Sequence, residues 1–173
     1  MGMFDGKKVV CAPMAGITET VFRSLCKSCG ADIVVSEMVS AEGLYYRSVG
    51  TEQLLRFDEH ERPFGVQLFG ADPSRLSYAA ATVEQAVCPD FIDLNAGCPV
   101  PKVVKKNGGA ALLRDRRLFE RIVREMARAI GIPLTVKIRS GWRTGEWVDV
   151  EYAHIAEECG AAAVTLHPRS RSM

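Results

Sequence analysis

Short runs of branched and aromatic residues alternate along this chain with longer segments whose apolar positions recur at helical spacing. Val9-Val10-Cys11-Ala12-Pro13 reads as a first strand, followed by a helix through Val21, Phe22, Leu25 and Cys26 that ends near Gly30. Ile33-Val34-Val35-Ser36 reads as a second strand and Phe64-Gly65-Val66-Gln67-Leu68 as a third. Asp72-Pro73 supplies an N-cap followed by proline at the first helical position, and Leu76, Ala79, Ala80, Val83 and Val87 then repeat on one helical face. Phe91-Ile92-Asp93-Leu94-Asn95 is the fourth strand. A helix from about Arg117 carries the apolar stripe Leu118, Ile122, Met126 and Ile130. Leu134-Thr135-Val136-Lys137-Ile138 is the fifth strand, Tyr152, Ile155, Ala156 and Cys159 mark a further helix, and Ala163-Val164-Thr165-Leu166-His167 is the sixth strand.

Strands joined by helical crossovers run parallel, because a parallel connection needs a dozen or more residues and a helix supplies them. The chain is therefore α/β, with two closures open to it: a doubly wound sheet or a (β/α)8 barrel. The first strand-to-helix turn, Pro13-Met14-Ala15-Gly16-Ile17, lacks the GxGxxG spacing of dinucleotide-binding sheets. Met14, Glu37, Gln67, Asn95, Lys137 and His167 each fall at or just past the C-terminal end of a strand. Polar residues end strands wherever loops begin, but six from successive βα units match the face on which a barrel assembles a shared site. An eight-stranded barrel usually takes ~250 residues, so six strands in 173 residues predict a (β/α)8 TIM barrel truncated after about strand six.

Asn95-Ala-Gly-Cys98-Pro99 is the sharpest local motif. A cysteine between glycine and proline on the loop after a central strand is held in a tight turn, as a positioned acid or nucleophile requires. Lys102, Lys105 and Lys106 follow it, which makes a cleft-facing thiol a better reading than a buried small residue. Lys137 interrupts an otherwise apolar strand, and a lysine is rarely buried without a partner; it points to an anionic ligand at the barrel mouth. Arg139 is expected on the opposite side of that strand end. His167, Arg169 and Arg171 close the sixth strand and suit an anion, a phosphate or an electron-rich ring. Gln67 offers a side-chain amide that both donates and accepts, suited to the edge of a flavin or a base. His60 lies in Asp58-Glu-His-Glu-Arg62, expected to be a solvated loop, and no spacing of His, Cys or carboxylate resembles a metal site.

Composition narrows the picture. With 47% hydrophobic and 25% charged residues, the chain matches ordinary globular proteins, and no apolar run approaches the ~18 residues of a membrane span. Lys+Arg 22 against Asp+Glu 21 gives a net charge of +1, which excludes a strongly basic nucleic-acid binder and leaves polyanion contact to a local patch. The N-terminus carries no apolar stretch of signal-peptide length, so a cytoplasmic location is expected. The six cysteines should accordingly be reduced thiols, Cys26 and Cys29 serving as small helix-packing residues.

Six segments, taken together and in order, resemble the tRNA-dihydrouridine synthases: Ala12-Pro-Met-Ala-Gly-Ile-Thr-Glu-Thr-Val-Phe-Arg23, Ser36-Glu-Met38, Val66-Gln-Leu-Phe-Gly70, Asp93-Leu-Asn-Ala-Gly-Cys-Pro99, Val136-Lys-Ile-Arg139 and Leu166-His-Pro-Arg-Ser-Arg171. The resemblance implies an FMN-binding barrel followed by a helical domain that helps hold tRNA. FMN, reduced by NADPH, would deliver hydride to C6 of a uridine while a cysteine acid protonates C5. By motif match that acid is Cys98. Pro13, Met14 and Ala15 would line the flavin through their backbone, Gln67, Lys137 and His167 would contact its ring system, and Asn95 would lie near flavin and base. Arg169 and Arg171 are expected to contact the substrate.

This family often carries His-x-Arg-Thr-Arg where the chain has His167-Pro-Arg-Ser-Arg171. The resemblance also implies that the last barrel strands, with their phosphate-binding loops, and the helical tRNA-binding domain lie outside residues 1–173. Two other readings stay open: an FMN barrel acting on a small pyrimidine or enone, since fold alone does not fix function, and an inactive barrel fragment with an open strand edge.

Overall fold

The computed structural model describes residues 2–173. Its sheet contains β1 (Val10–Cys11), β2 (Ile33–Val35), β3 (Val39–Ser40), β4 (Phe64–Phe69), β5 (Phe91–Ala96), β6 (Leu134–Gly141) and β7 (Ala163–Ser170). Every pairing is parallel and the order is β1-β2-β4-β5-β6-β7, with β3 beside β4 off that path. Helices α1 (Thr20–Ser28), α4 (Pro73–Val87), α6 (Arg116–Ala129) and α7 (Asp149–Glu158) form the crossovers. Neighbours in the sheet thus follow chain order, and the sheet curls as the arc of a (β/α)8 barrel with β1 and β7 as its edges. The six strands predicted from sequence are the six on the path. The short elements β3, α2 (Ala41–Tyr45), α3 (Val49–Gln53) and α5 (Pro101–Val104) were not legible from periodicity.

Side-chain alternation sorts each strand into two faces. Val34, Phe64, Val66, Leu68, Ile92, Leu94, Leu134, Val136 and Ile138 point outward and pack with Leu76, Ala80, Val83, Phe119, Ile122, Val123, Met126 and Ile155 of the helices in one buried core. Asp72 caps α4 by accepting from Arg75 N at 2.9 Å, with Pro73 at the first helical position, as the sequence suggested. Asp115 does the same for α6, whose four buried side chains Phe119, Ile122, Val123 and Met126 each contribute about 1.5–3 kcal/mol of apolar burial.

The inward positions form layers. Ile33, Val35 and Phe91 make an apolar floor on which Met3 and Phe4 pack, the Phe4 and Phe91 rings meeting edge to face at 5.4 Å. Gly65 is required there, because a Cβ at that position would lie 2.2 Å from Phe91 Cζ. Above the floor, the inward residues turn polar: Gln67 pairs in register with Asp93, Asp93 with Thr135, Asn95 with Lys137, and Arg139 with His167. Arg139 therefore lies on the same face as Lys137, correcting the expectation that it faced the other way; two residues along a strand complete one period.

Within residues 58–62, Asp58, Glu59 and His60 are exposed as expected, but Glu61 is a second correction. The segment forms a 3-10 turn, Glu59–Glu61, and Glu61 is fully buried against Arg23 rather than solvated. Arg23 Nε donates to Glu61 Oε2 at 2.5 Å, Nη1 to Thr18 O at 2.7 Å and Nη2 to Arg56 O at 2.8 Å, with the guanidinium 4.9 Å above the Phe64 ring. A charge inside a protein needs such partners, and this one lies 38 residues away in sequence. His60 Nε2 sits 2.9 Å from Ser24 Oγ. Of the proposed helix-packing cysteines, Cys26 packs against the core, but Cys29, at the C-cap of α1, is exposed.

Candidate active site at the strand ends

A cavity of about 580 Å³ opens at the C-terminal ends of the strands. Ala12, Pro13, Met14 and Ala15 contribute from the loop after β1, Met38 from the segment before β3, and Gln67 from β4. Asn95, Gly97, Cys98, Pro99 and Val100 come from β5 and its loop, Lys137 and Arg139 from β6, and residues 165–168 from β7. Met14, Gln67, Asn95, Lys137 and His167 are thus brought together. Glu37 is not: its Oε2 accepts from Gly16 N at 2.5 Å and braces the first loop from outside the cavity. That loop is further held by Thr18, whose hydroxyl accepts from Met14 N at 3.0 Å, while Thr18 O takes the Arg23 guanidinium.

Cys98 is half-buried on the cavity wall. Its backbone N–H donates to Asn95 Oδ1 at 2.8 Å, and Gly97 N to the same oxygen at 3.1 Å, so the Asn95 side chain folds the motif into a turn. Beneath it, Ala110 N donates to Cys98 O at 3.0 Å, and Gly109 adopts φ 58° at a point where a Cβ would lie 2.7 Å from Cys98 O. Arg139 Nε donates to Gly97 O at 2.6 Å. The Cys98 backbone is therefore held at both its N–H and its carbonyl, and the neighbouring Gly97 carbonyl by Arg139.

A polar chain runs from the cavity wall, at Asn95 and Gln67, back to the buried Asp93 and Thr135. Thr135 Oγ1 and Gln67 Nε2 donate to the two oxygens of Asp93 at 2.5 and 2.7 Å, and Asn95 Nδ2 donates to Gln67 Oε1 at 2.8 Å. Burial pushes the Asp93 carboxyl up to about 6, opposed by the Gln67 and Thr135 hydrogen bonds and the Lys137 charge. Burial likewise lowers Lys137, against the pull of Asp93, and lowers His167, with Arg139, Lys137 and Arg169 adding to the effect. Asp93 was missed as a site residue. Its signal was the Asp-x-Asn spacing, which places two polar side chains on one inward face of an apolar strand.

Arg169 and Arg171 do not line the cavity. Between the pairs Arg139–His167 and Gly141–Ser170, β7 carries one residue more than β6, a bulge at residues 168–169 where proline has no N–H to give the ladder. Arg169 is exposed, and Arg171 turns onto Trp142, 4.9 Å from its ring centre, with Arg114 also 4.9 Å from that ring. Lys102, Lys105 and Lys106 are exposed beyond Cys98. Among the described residues no cluster of His, Cys, Asp or Glu could hold a metal ion, and no helix is long and apolar enough to cross a membrane.

Residues 10–173 match the family model described as Dihydrouridine synthase (Dus). The chain is similar to a "tRNA-dihydrouridine synthase B" from Pseudomonas aeruginosa, 40% identical over 166 residues, covering 95% of this chain and 49% of that protein. It is 39% identical over 165 residues to a "Probable tRNA-dihydrouridine synthase" from Treponema pallidum, covering 92% of this chain and 48% of that protein. A Serratia marcescens "tRNA-dihydrouridine synthase B" is 40% identical over 166 residues, with 95% and 49% covered. The chain spans about half the length of these curated relatives. The family match over residues 10–173, a span that includes every strand-end segment enclosing the cavity, shows that the chain belongs to the dihydrouridine synthase family.

Proposed function

We propose that this chain forms the catalytic part of a flavin-dependent enzyme that reduces uridine to 5,6-dihydrouridine in tRNA. The observation that carries the reading is the placement of the Cys98 thiol on the wall of the cavity that also collects Gln67, Lys137 and His167. The residues present fit FMN. Pro13, Met14, Ala15 and Met38 offer an apolar wall to a flat ring, and Lys137 is a half-buried cation whose one opposing charge is Asp93 below it. Bound there and reduced by NADPH, FMN would supply the hydride equivalent that uridine C6 receives.

The remaining work falls to side chains. Gln67 and Lys137 hold the polar edge of the ring system, and His167 closes the β7 side. Asn95 has both of its carbonyl contacts committed to the Cys98 turn and one Nδ2 hydrogen committed to Gln67; its other hydrogen makes only a long contact of 3.9 Å to Met38 Sδ, a weak acceptor that a uracil carbonyl would replace. As C6 is reduced, electron density builds at C5; Cys98 gives its S–H proton to C5, and the resulting thiolate regains a proton from solvent. The base must leave its stack to reach the strand ends, as for other base-modifying enzymes. Arg169, Arg171 and the exposed lysines after Cys98 serve tRNA phosphates. In this reading residues 1–173 are part of the barrel, the remaining strands and a helical tRNA-binding domain lie outside them, and the enzyme works in the cytoplasm with its cysteines reduced.

The test is incubation of the full-length protein with FMN, NADPH and unmodified tRNA, followed by nucleoside analysis of the digest. Dihydrouridine is the expected product. Its absence, with turnover of a free pyrimidine or enone, would transfer the chain to small-molecule reduction. Cys98→Ala should retain the flavin and lose the product; undiminished tRNA turnover would remove Cys98 from the acid role.

A further inference from the structure

We propose that the loop after β6, residues 142–148, is a second contact for the RNA: the Trp147 indole stacks on an unpaired base beside the target uridine, and Arg143 meets a flanking phosphate. The inference rests on the reading of tRNA as substrate and says where that RNA is gripped outside the cavity.

The chain has two tryptophans, and both fall in Gly141-Trp-Arg-Thr-Gly-Glu-Trp147. Their surroundings differ. Trp142 is half-buried, with Arg114 and Arg171 each 4.9 Å from its ring centre. Trp147 is 70% exposed, and among the described residues no ring or cation stands over it. A bare indole forgoes the large apolar burial that tryptophan otherwise contributes.

The backbone around it is firmly held. Glu146 Oε2 accepts from Trp142 N at 3.0 Å and from Arg143 N at 2.8 Å, Glu146 N donates to Arg143 O at 3.1 Å, and Val148 N donates back to Ser140 O at 2.8 Å. Thr144 N donates to Ser172 Oγ at 2.9 Å, which ties the tip to the chain after β7. Gly145 takes φ 83° in the turn, and a side chain on Gly141 would collide with Glu146 O folded above it. A surface preformed in this way loses little entropy on binding. It also stands at the cavity mouth. Gly141 is two residues, roughly 7 Å, beyond Arg139, which lines the cavity and donates to Ser170 O at 3.1 Å.

Charge selects the partner. Arg143 and Arg114 are exposed, and neither is paired with a carboxylate among the described residues. The acids nearby are committed: Glu146 to the loop backbone, Asp115 to the cap of α6, Glu151 to Arg116 at 3.2 Å, and Asp149 to the first turn of α7, where the helix dipole favours it. A flat aromatic face beside unneutralised guanidinium groups suits single-stranded RNA, whose bases stack on rings while cations follow the backbone. Extruding the target uridine leaves its neighbour without a stacking partner, and the indole supplies one.

The experiment measures the Kd of the full-length protein for a fluorescein-labelled, unmodified tRNA transcript by anisotropy at several salt concentrations, with Tm, flavin content and sedimentation recorded for each variant. Trp147→Ala should raise Kd by about fivefold or more at every salt concentration. The slope of log Kd against log salt should stay as it was, because the indole neutralises no phosphate. Trp147→Phe should recover most of the affinity. Arg143→Gln should instead make the salt slope shallower by about one. An unchanged Kd for Trp147→Ala overturns the proposal, as does a loss that Trp147→Phe fails to recover or a slope unchanged in Arg143→Gln. A lowered Tm, lost flavin or altered oligomeric state in Trp147→Ala also overturns it, since the indole is then covered by the rest of the chain or by a second copy. If the unmodified protein binds no tRNA, the tRNA reading falls and this one with it; if it binds tRNA and forms dihydrouridine while Trp147→Ala keeps the same Kd, this inference alone falls.

Discussion

Glu61→Ala isolates one buried charge pair on which the first loop of the cavity depends. Arg23 and Glu61 are 1% and 0% exposed, and the guanidinium makes four hydrogen bonds, to Glu61, Thr18, Thr20 and Arg56. Removing the carboxylate leaves a guanidinium that cannot shed its proton with only neutral partners, and it also leaves Asp58 N without the acceptor it has at 3.0 Å. Breaking a buried pair from one side costs about 3–5 kcal/mol, against a total stability on the order of 5–15 kcal/mol. At roughly 2–4 °C per kcal/mol for a domain of this size, Tm should fall by about 6–20 °C. The assay is thermal unfolding by far-ultraviolet circular dichroism, with urea titration to confirm that the denaturant slope is unchanged. Arg121→Ala, which breaks the exposed pair with Glu125 on α6, is the comparison and should leave Tm nearly unmoved. The double replacement Arg23→Met with Glu61→Leu should recover most of the loss, since a well-packed apolar pair can stand in for a buried ionic one. A loss below about 1 kcal/mol for Glu61→Ala would show that solvent reaches the guanidinium and would refute the reasoning.

Three further outcomes can be checked. Gly65→Ala forces a methyl into the Phe91 ring and should cost about 1–3 kcal/mol in urea unfolding; a neutral result would mean that the floor of the arc is loosely packed. Asp93, with its pKa raised to about 6 in the folded chain against ~3.9 unfolded, holds its proton more tightly in the native state, so its contribution is present below the unfolded value and is lost as pH rises through the folded one. The difference between the unmodified chain and Asp93→Asn should shrink or change by about 3 kcal/mol between roughly pH 4 and pH 7, with stability of the unmodified chain falling on the way up; parallel pH curves would refute this. Taking the difference removes groups of opposite sign such as Glu19, which the Val21 and Phe22 backbone N–H groups hold below its ordinary value and whose contribution is lost as pH falls. Lys137→Met should weaken flavin binding by about tenfold or more in a fluorescence titration, and an unchanged Kd would place the anionic edge of the ring elsewhere.

What the sequence disclosed and what it hid divide along physical lines. The crossover helices and six strands were legible because each holds a single period for a full element, and the Asp72-Pro73 start of α4 because its chemistry is local. Residues 37–63 were opaque: a two-residue strand and two five-residue helices are too short to show a period. Glu61 looked like one more charge in a polar run, and nothing local could reveal a partner on α1. Arg139 and Asp93 are different, since alternation alone put both on inward faces beside residues already singled out. The candidate site was therefore readable as a set of strand ends, while the buried connections beneath it depended on register between strands, which no single segment encodes.

The bulge in β7 has a consequence for how such a chain tolerates changes of length. Deleting one residue from a strand is ordinarily among the most damaging edits, because every side chain beyond the cut is reversed. Here β7 runs one residue ahead of β6 between His167 and Ser170, so loss of Pro168 or Arg169 would bring the two strands back into step and leave Ser170 opposite Gly141. The stretch after His167 is thus a place where an insertion or deletion is absorbed within a strand, altering the charge at the rim of the cavity without shifting the wall that holds Lys137.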